Sequence, residues 1–175
     1  RGCPHRCNYC NKNIFGLKVR GRSVKNIIGE IDELVKNYSL DEIHISDDTF
    51  NYDRERTFLL CDEIKKKKYN LRFFPHAGIR VHNADMEQFK KFKEIGIYAI
   101  AFGVESGNQQ IINNIKKGIN LEQVRRAFKL AHKAGFEEVS GYFMLGLKGE
   151  TMETARDTIN FAIELNPTIA KFHVA

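Results

Sequence analysis

The sequence predicts an α/β fold with parallel strands. Stretches in which apolar residues return at helical spacing alternate with short apolar runs, and each unit takes roughly thirty residues, the length that joins parallel strands through a crossover helix. No linker, low-complexity stretch or Gly/Ser-rich segment breaks the alternation, so residues 1–175 read as one domain. A closed eight-unit barrel takes about 250 residues. A chain of 175 residues can therefore supply only a partial barrel or a half-open sheet.

Taken in order, a polar loop from Asn11 to Arg22 leads to Ser23, a capping residue for a helix carrying Val24, Ile27, Ile28, Ile31, Leu34, Val35 and Tyr38 on one face. Glu42 to Ser46 reads as a strand that ends in Asp47-Asp48-Thr49. The next helix, Asp53 to Lys67, places Thr57, Leu60, Cys61 and Ile64 together, with Cys61 as a small buried hydrophobe. Leu71 to Phe74 is a strand, and Pro75, which cannot donate to a ladder, predicts that pairing stops or bulges there. Asn83 or Asp85 starts a helix through Met86, Phe89, Phe92 and Ile95 that stops at Gly96.

Tyr98 to Val104 is the following strand, with Glu105-Ser106-Gly107 at its exit. A short helix with Ile111, Ile112 and Ile115 stops at Gly118. Asn120 and Gln123 resemble a capping box that opens a helix to Gly135. Glu138 to Leu145 is the longest strand candidate. Thr151 caps a last helix whose inner face is predicted as Ala155, Thr158, Ile159, Ala162 and Ile163, and Ala170 to Val174 forms the fifth strand.

Chemistry concentrates in Cys3-Pro4-His5-Arg6-Cys7-Asn8-Tyr9-Cys10, a C-x3-C-x2-C run. Three thiolates on one tight loop suit a soft metal centre. A 4Fe-4S cube held by three cysteines keeps one iron free for a small molecule, whereas an electron carrier closes that iron with a fourth cysteine. Zinc is the next reading, with His5 as the fourth ligand, although structural zinc usually draws on two separated pairs. A disulfide ranks last, because the one remaining cysteine, Cys61, sits far away in a helical pattern.

With Tyr9 before the last cysteine, the run resembles the signature of the radical S-adenosylmethionine (radical SAM) superfamily. The resemblance implies a partial (βα)6 TIM-type barrel, with a first strand expected ahead of Arg1 in a longer protein. It also implies that Cys3, Cys7 and Cys10 hold a 4Fe-4S cluster, that S-adenosylmethionine binds the open iron, and that Tyr9 lies near adenine. Ser46, Asp47 and Asp48 stand where the family receives the amino group of S-adenosylmethionine. The resemblance further implies that Glu105 accepts ribose hydroxyls with Ser106 as a weaker partner, that Met144 packs on adenine, and that the backbone of Phe172 to Val174 borders it.

The motifs Arg1-Gly2-Cys3-Pro4, Asp47-Asp48-Thr49-Phe50, Glu105-Ser106-Gly107 and Gly149-Glu150-Thr151 are most similar to the cobalamin-dependent branch, which includes anaerobic magnesium-protoporphyrin monomethyl ester cyclases and methyltransferases. In that branch cobalamin would bind a domain outside this chain. Methylthiotransferases that act on RNA or protein share parts of the pattern. The implied partners are a small-molecule substrate and a one-electron donor.

Each position also has a plainer role. Asp47 and Asp48 can cap a turn, Glu105 can pair with a lysine, Met144 can be ordinary core, and His76 can face substrate or serve structure. The composition, 42% hydrophobic and 29% charged, is that of an ordinary soluble domain, and no apolar run is long enough to span a membrane, so a cytoplasmic, reducing setting is expected. A net charge of +6 leaves RNA open as a partner, and a non-catalytic zinc and RNA-binding module is the alternative from another class. Much of the lysine, including Lys65 to Lys68, falls at helix ends, where the helix dipole favours it.

Overall fold

The computed structural model describes residues 2–11, 13–14 and 16–175; Arg1 at the head of the cysteine loop, and Lys12 and Phe15 in the polar loop, lie outside them. The elements run α1 (Val24–Asn37), β1 (Glu42–His44), α2 (Arg54–Lys67), β2 (Arg72–Phe74), α3 (Met86–Glu94), β3 (Ala99–Glu105), α4 (Gln109–Asn114), α5 (Leu121–Ala134), β4 (Glu138–Leu145), α6 (Met152–Leu165) and β5 (Ile169–Val174). The helices start where short polar side chains can take an otherwise unpaired backbone N–H. Ser23, Asp53 and Asp85 accept from Asn26, Arg56 and Gln88. Asn120 with Gln123, and Thr151 with Thr154, form reciprocal capping boxes.

All strand pairs are parallel: β1 with β2, and β3 with β4 with β5. Between the two sets pairing shrinks to isolated bridges, Phe73 with Ile97 and Ile79 with Phe102. The gap falls at Pro75, as the sequence predicts. The strands follow one another in chain order, and among the described residues they do not close into a barrel.

One core cluster draws on all six helices and on alternate strand residues, among them Phe73, Ile100, Phe102, Val104, Val139 and Phe143. Alternation along a strand sends the residues between them to the opposite face. That face carries His44, Tyr142, Lys171 and His173 beside the small residues of β3.

The buried face of α2 is the predicted one, Thr57, Leu60, Cys61 and Ile64. Two other faces need correction. Val35 and Tyr38 of the first helical pattern are 41% and 64% exposed. In α6 the buried residues are Thr158, Phe161, Ala162 and Leu165, while Ile159 and Ile163 face outward. Two apolar stripes lie side by side on that helix, and the one carrying the bulkier Phe161 docks. Gly107 allows this approach, since a Cβ there would lie 2.5 Å from the Asp157 carbonyl and from Phe161 Cβ.

Candidate active site

The cysteine loop is held at both ends by the carboxyl-terminal edge of the sheet, the place where parallel α/β folds gather their ligand-binding loops. On one side the Gly2 N–H donates to Asp48 Oδ2 at 3.0 Å, and Cys3 Sγ lies 3.8 Å from Thr49 Oγ1. On the other, the Asn8 N–H donates to the Ile115 carbonyl at 3.1 Å, and Asn8 Nδ2 donates to the Asn114 carbonyl at 2.8 Å. All three loop cysteines are free thiols; Cys3 is half-buried, Cys7 buried and Cys10 exposed.

Tyr9 links this loop to β3. Its hydroxyl donates to Glu105 Oε1 at 3.0 Å, and Lys117 Nζ stands 3.1 Å from the same hydroxyl and 2.5 Å from the same carboxylate oxygen. The Lys117 and Glu105 side chains are only 8% and 10% exposed. Burial, followed by the Glu105 charge, pushes the Tyr9 phenol well above its ordinary value, which keeps it a neutral donor.

Glu105 reaches this position through local distortion. The ladder slips between Gly103 and Glu105, Glu105 has φ 69°, and the Ser106 N–H donates back to the Val104 carbonyl, closing a three-residue turn. A side chain held in the left-handed region costs roughly 1–3 kcal/mol, which surrounding structure must over-determine. Here Ser106 does so: its buried Oγ lies 3.0 Å from Thr158 Oγ1 on α6 and accepts from the Asn108 N–H.

Lys117 is a site residue that sequence reading missed. It sits beside Lys116 ahead of Gly118, which reads as a solvated helix end. Lys116 instead takes the left-handed conformation (φ 55°) and Lys117 N–H donates to the Ile112 carbonyl, the pattern that reverses a chain after a helix. Arg80 fixes the reversal by donating to the Lys117 carbonyl at 2.7 Å. An acid at the exit of an apolar strand, Glu105, was the available hint that a cation lies nearby.

The other predicted residues spread out from this centre. Asp47 and Asp48 line a cavity of about 330 Å³ with Gly2, Pro4 and Arg56. Ser46 pairs with His76, their Oγ and Nε2 being 3.0 Å apart. Met144 stands opposite His173 in the β4–β5 ladder and packs partly against the core. The Ser106 hydroxyl faces α6 rather than the cysteine loop. Glu150 accepts from the Gly146 N–H and braces the loop ahead of α6. His5 lies edge-on to His82, and Cys61 is buried on α2, its thiol pushed up to about 12 mainly by burial.

The donor set suits an iron-sulfur cluster: three thiols on one loop. A Cβ on Gly103 would come within 2.9 Å of Glu105 Oε1 and of Lys117 Nζ, so glycine preserves room under the buried pair. Among the described residues no three His, Cys, Asp or Glu side chains gather as ligands of a single ion. Thiolates that each bind a different iron do not require so tight a cluster.

A parallel α/β core with a three-cysteine loop at its strand ends defines the class of protein. Residues 1–162 match the family model of the radical SAM superfamily, and the chain belongs to that family. It is 35% identical over its full length to an uncharacterized methyltransferase of Pyrococcus horikoshii, covering 38% of that protein. Over 98% of its length it is 27% identical to the anaerobic magnesium-protoporphyrin IX monomethyl ester cyclase of Rubrivivax gelatinosus, covering 31% of it.

Its fold is that of the radical S-adenosylmethionine methyltransferase TsrM from Kitasatospora setae, solved with cobalamin and a [4Fe-4S] cluster bound: TM-score 0.87 at 20% identity, over 99% of this chain and 35% of that one. The chain thus spans about a third of the length of these relatives. No helix among the described residues is long and apolar enough to cross a membrane.

Proposed function

We propose that this chain is the catalytic core of a radical SAM enzyme in which Cys3, Cys7 and Cys10 hold a 4Fe-4S cluster and S-adenosylmethionine lies against the Tyr9–Glu105–Lys117 group. The observation that carries the reading is that group itself, a buried ion pair tied through Tyr9 to the cysteine loop. When bound, the cluster and S-adenosylmethionine supply one-electron cleavage to methionine and a 5'-deoxyadenosyl radical that removes hydrogen from substrate.

The chain's own residues bind and orient. Glu105 offers an ionised acceptor to two ribose hydroxyls, which make stronger hydrogen bonds to a carboxylate than to a neutral group. The Lys117 ammonium neutralises Glu105 and offers its charge to an anionic part of the ligand. Tyr9 covers the adenine side, with Met144 and the β5 backbone as the far wall. Backbone carbonyls of Ser46 to Asp48 receive an amino group, while the Asp48 side chain holds Gly2 and with it the start of the loop. Ser106 positions Glu105 from behind.

In the longer protein the five strands would belong to a partial six-unit barrel, and the relatives point to methyl transfer or cyclisation of a small molecule, with an external one-electron donor. Cobalamin would enter through a domain outside this chain, as in the branch that the motifs resemble. Cys7→Ala should abolish incorporation of iron and labile sulfide after anaerobic reconstitution. Full retention of both by that variant would overturn the ligand assignment.

A further inference from the structure

The face of the sheet opposite the helices carries a second polar cluster, built from strands on both sides of β3. Ser46 Oγ, just past β1, lies 3.0 Å from Nε2 of His76, just past β2, and the His76 ring stands 5.7 Å from that of His44. From β4, Tyr142 donates its hydroxyl to the His76 carbonyl at 2.8 Å. The Tyr142 ring meets His173 of β5 edge-on at 6.4 Å and has the Lys171 ammonium 5.4 Å from its centre.

Tyr142 can reach across β3 because that strand has almost no side chain on this face. Ile100, Phe102 and Val104 point into the core, so alternation leaves Ala99, Ala101 and Gly103 beneath the tyrosine. The same Gly103 keeps space open under Glu105 and Lys117, so the cluster is continuous with the site described above.

The strand carboxylates of this face already have partners. Glu42 is engaged by His44 at 2.5 Å and by the Tyr98 hydroxyl at 2.7 Å, and Glu138 takes the Ser140 hydroxyl at 2.6 Å. Asp47 and Asp48 stand at the rim, where Asp48 accepts from Gly2. Ser46, His76, Lys171 and His173 are all exposed; the Ser46–His76 hydrogen bond uses one donor of that pair and leaves the other, with the His173 imidazole and the Lys171 ammonium, to face a ligand. A wall of polar donors in which Glu42 and Glu138 are already engaged and Asp47 and Asp48 stand only at the rim is complementary to an oxyanion.

We infer that this wall binds an oxyanion of the substrate, a carboxylate or phosphoryl group, with Ser46 and His76 on one side of Tyr142 and Lys171 and His173 on the other. Its assignment to substrate rests on the radical SAM reading; the anion site does not. Tyr142 is a positioning residue, spending its hydroxyl on the His76 backbone while its ring spaces the two sets of donors.

The test is a titration of the chain with inorganic phosphate and, separately, with acetate at constant ionic strength, following the histidine ring protons by NMR. Saturating shifts of His76 and His173 with at least one anion are expected, and the anion that saturates distinguishes phosphoryl from carboxylate. His76→Gln and Lys171→Met should each weaken apparent affinity about tenfold through loss of a charge-assisted contact, while Lys133→Met, exposed near the end of α5, leaves it unchanged. Should His76→Gln fail to fold, Lys171→Met on the exposed β5 strand gives the same readout.

Linear, unsaturated shifts with both anions would overturn the site, as would saturation indifferent to the Lys171 and His76 substitutions. Cluster reconstitution is scored separately. A chain that binds anion without taking up a cluster keeps the anion site and loses its substrate role; a chain with a cluster and no saturating anion loses the anion site alone.

Discussion

The Tyr9 hydroxyl donates to Glu105 Oε1 at 3.0 Å, joining a residue that lies between two cysteines to the left-handed end of β3. The same carboxylate oxygen pairs with Lys117, so one oxygen ties together the cysteine loop, a strand exit and the turn after α4. The cysteine loop and the acid at the strand exit are therefore positioned by a single group of side chains.

Glu105→Ala leaves the Lys117 ammonium buried without its partner. Removing one member of a buried pair costs about 3–5 kcal/mol, and about 1 kcal/mol lowers the midpoint of a domain of this size by roughly 2–4 °C. Thermal unfolding should show a fall on the order of 10 °C. Glu105 and Lys117 replaced together by apolar residues should lose less than Glu105→Ala alone, and the double variant is the check.

Gly107 sits where β3 hands over to α4 against the side of α6. Its Cβ would lie 2.5 Å from the Asp157 carbonyl and 2.8 Å from Thr158 Cα. Backbone atoms cannot rotate away, so Gly107→Ala should cost about 1–3 kcal/mol in urea unfolding. Gly29→Ala, where nothing lies within 4 Å of the new methyl, should be neutral or slightly stabilising.

Asp85 caps α3 by accepting from the Gln88 N–H at 2.9 Å and is paired with Arg54. Those hydrogen bonds and the Arg54 charge outweigh burial and hold its carboxyl below the usual range. Its contribution is therefore complete above the unfolded carboxylate value, near pH 4, and is lost as pH falls through the lower folded value. Asp85→Ala should cost about 0.5–2 kcal/mol at pH 7. The difference from the parent chain should shrink on acidification below pH 4, and a gap that widens there would contradict the assignment.

Cys61 is 1% exposed, its thiol pushed up to about 12 by burial, whereas Cys10 is open to solvent. Alkylation of the native, cluster-free chain should label Cys10 early and Cys61 only after unfolding, as read by peptide mass spectrometry. Cys61→Ser should leave iron uptake unchanged, because that side chain faces α3 and the core rather than the loop.

Much of the fold was legible because helix starts here are written in short polar side chains. Ser23, Asp53, Asp85, Asn120 and Thr151 each precede an apolar repeat, and each caps the helix it announces. The break at Pro75 was readable for the same local reason. What periodicity could not decide was which of two adjacent stripes on α6 docks. That choice belongs to Gly107 and Phe161, residues far apart in the chain.

The site divides in the same way. The cysteine run and the acids at strand exits follow from spacing and topology, and the structure brings Tyr9, Asp48 and Glu105 to one edge. Lys117 was invisible, since its inward turn depends on the left-handed Lys116 and on a hydrogen bond from Arg80. The face of Ser106 was equally hidden, because its partner Thr158 lies on the last helix. His76 was noticed in the sequence, but its neighbours Ser46 and Tyr142 come from separate strands.

The most direct measurement is electron paramagnetic resonance of the anaerobically reconstituted, reduced chain, with and without S-adenosylmethionine. A 4Fe-4S signal that changes when S-adenosylmethionine is added is the predicted result, and it would place the ligand beside the cluster held by Cys3, Cys7 and Cys10. A chain that forms no such cluster, or a signal indifferent to S-adenosylmethionine, would contradict it.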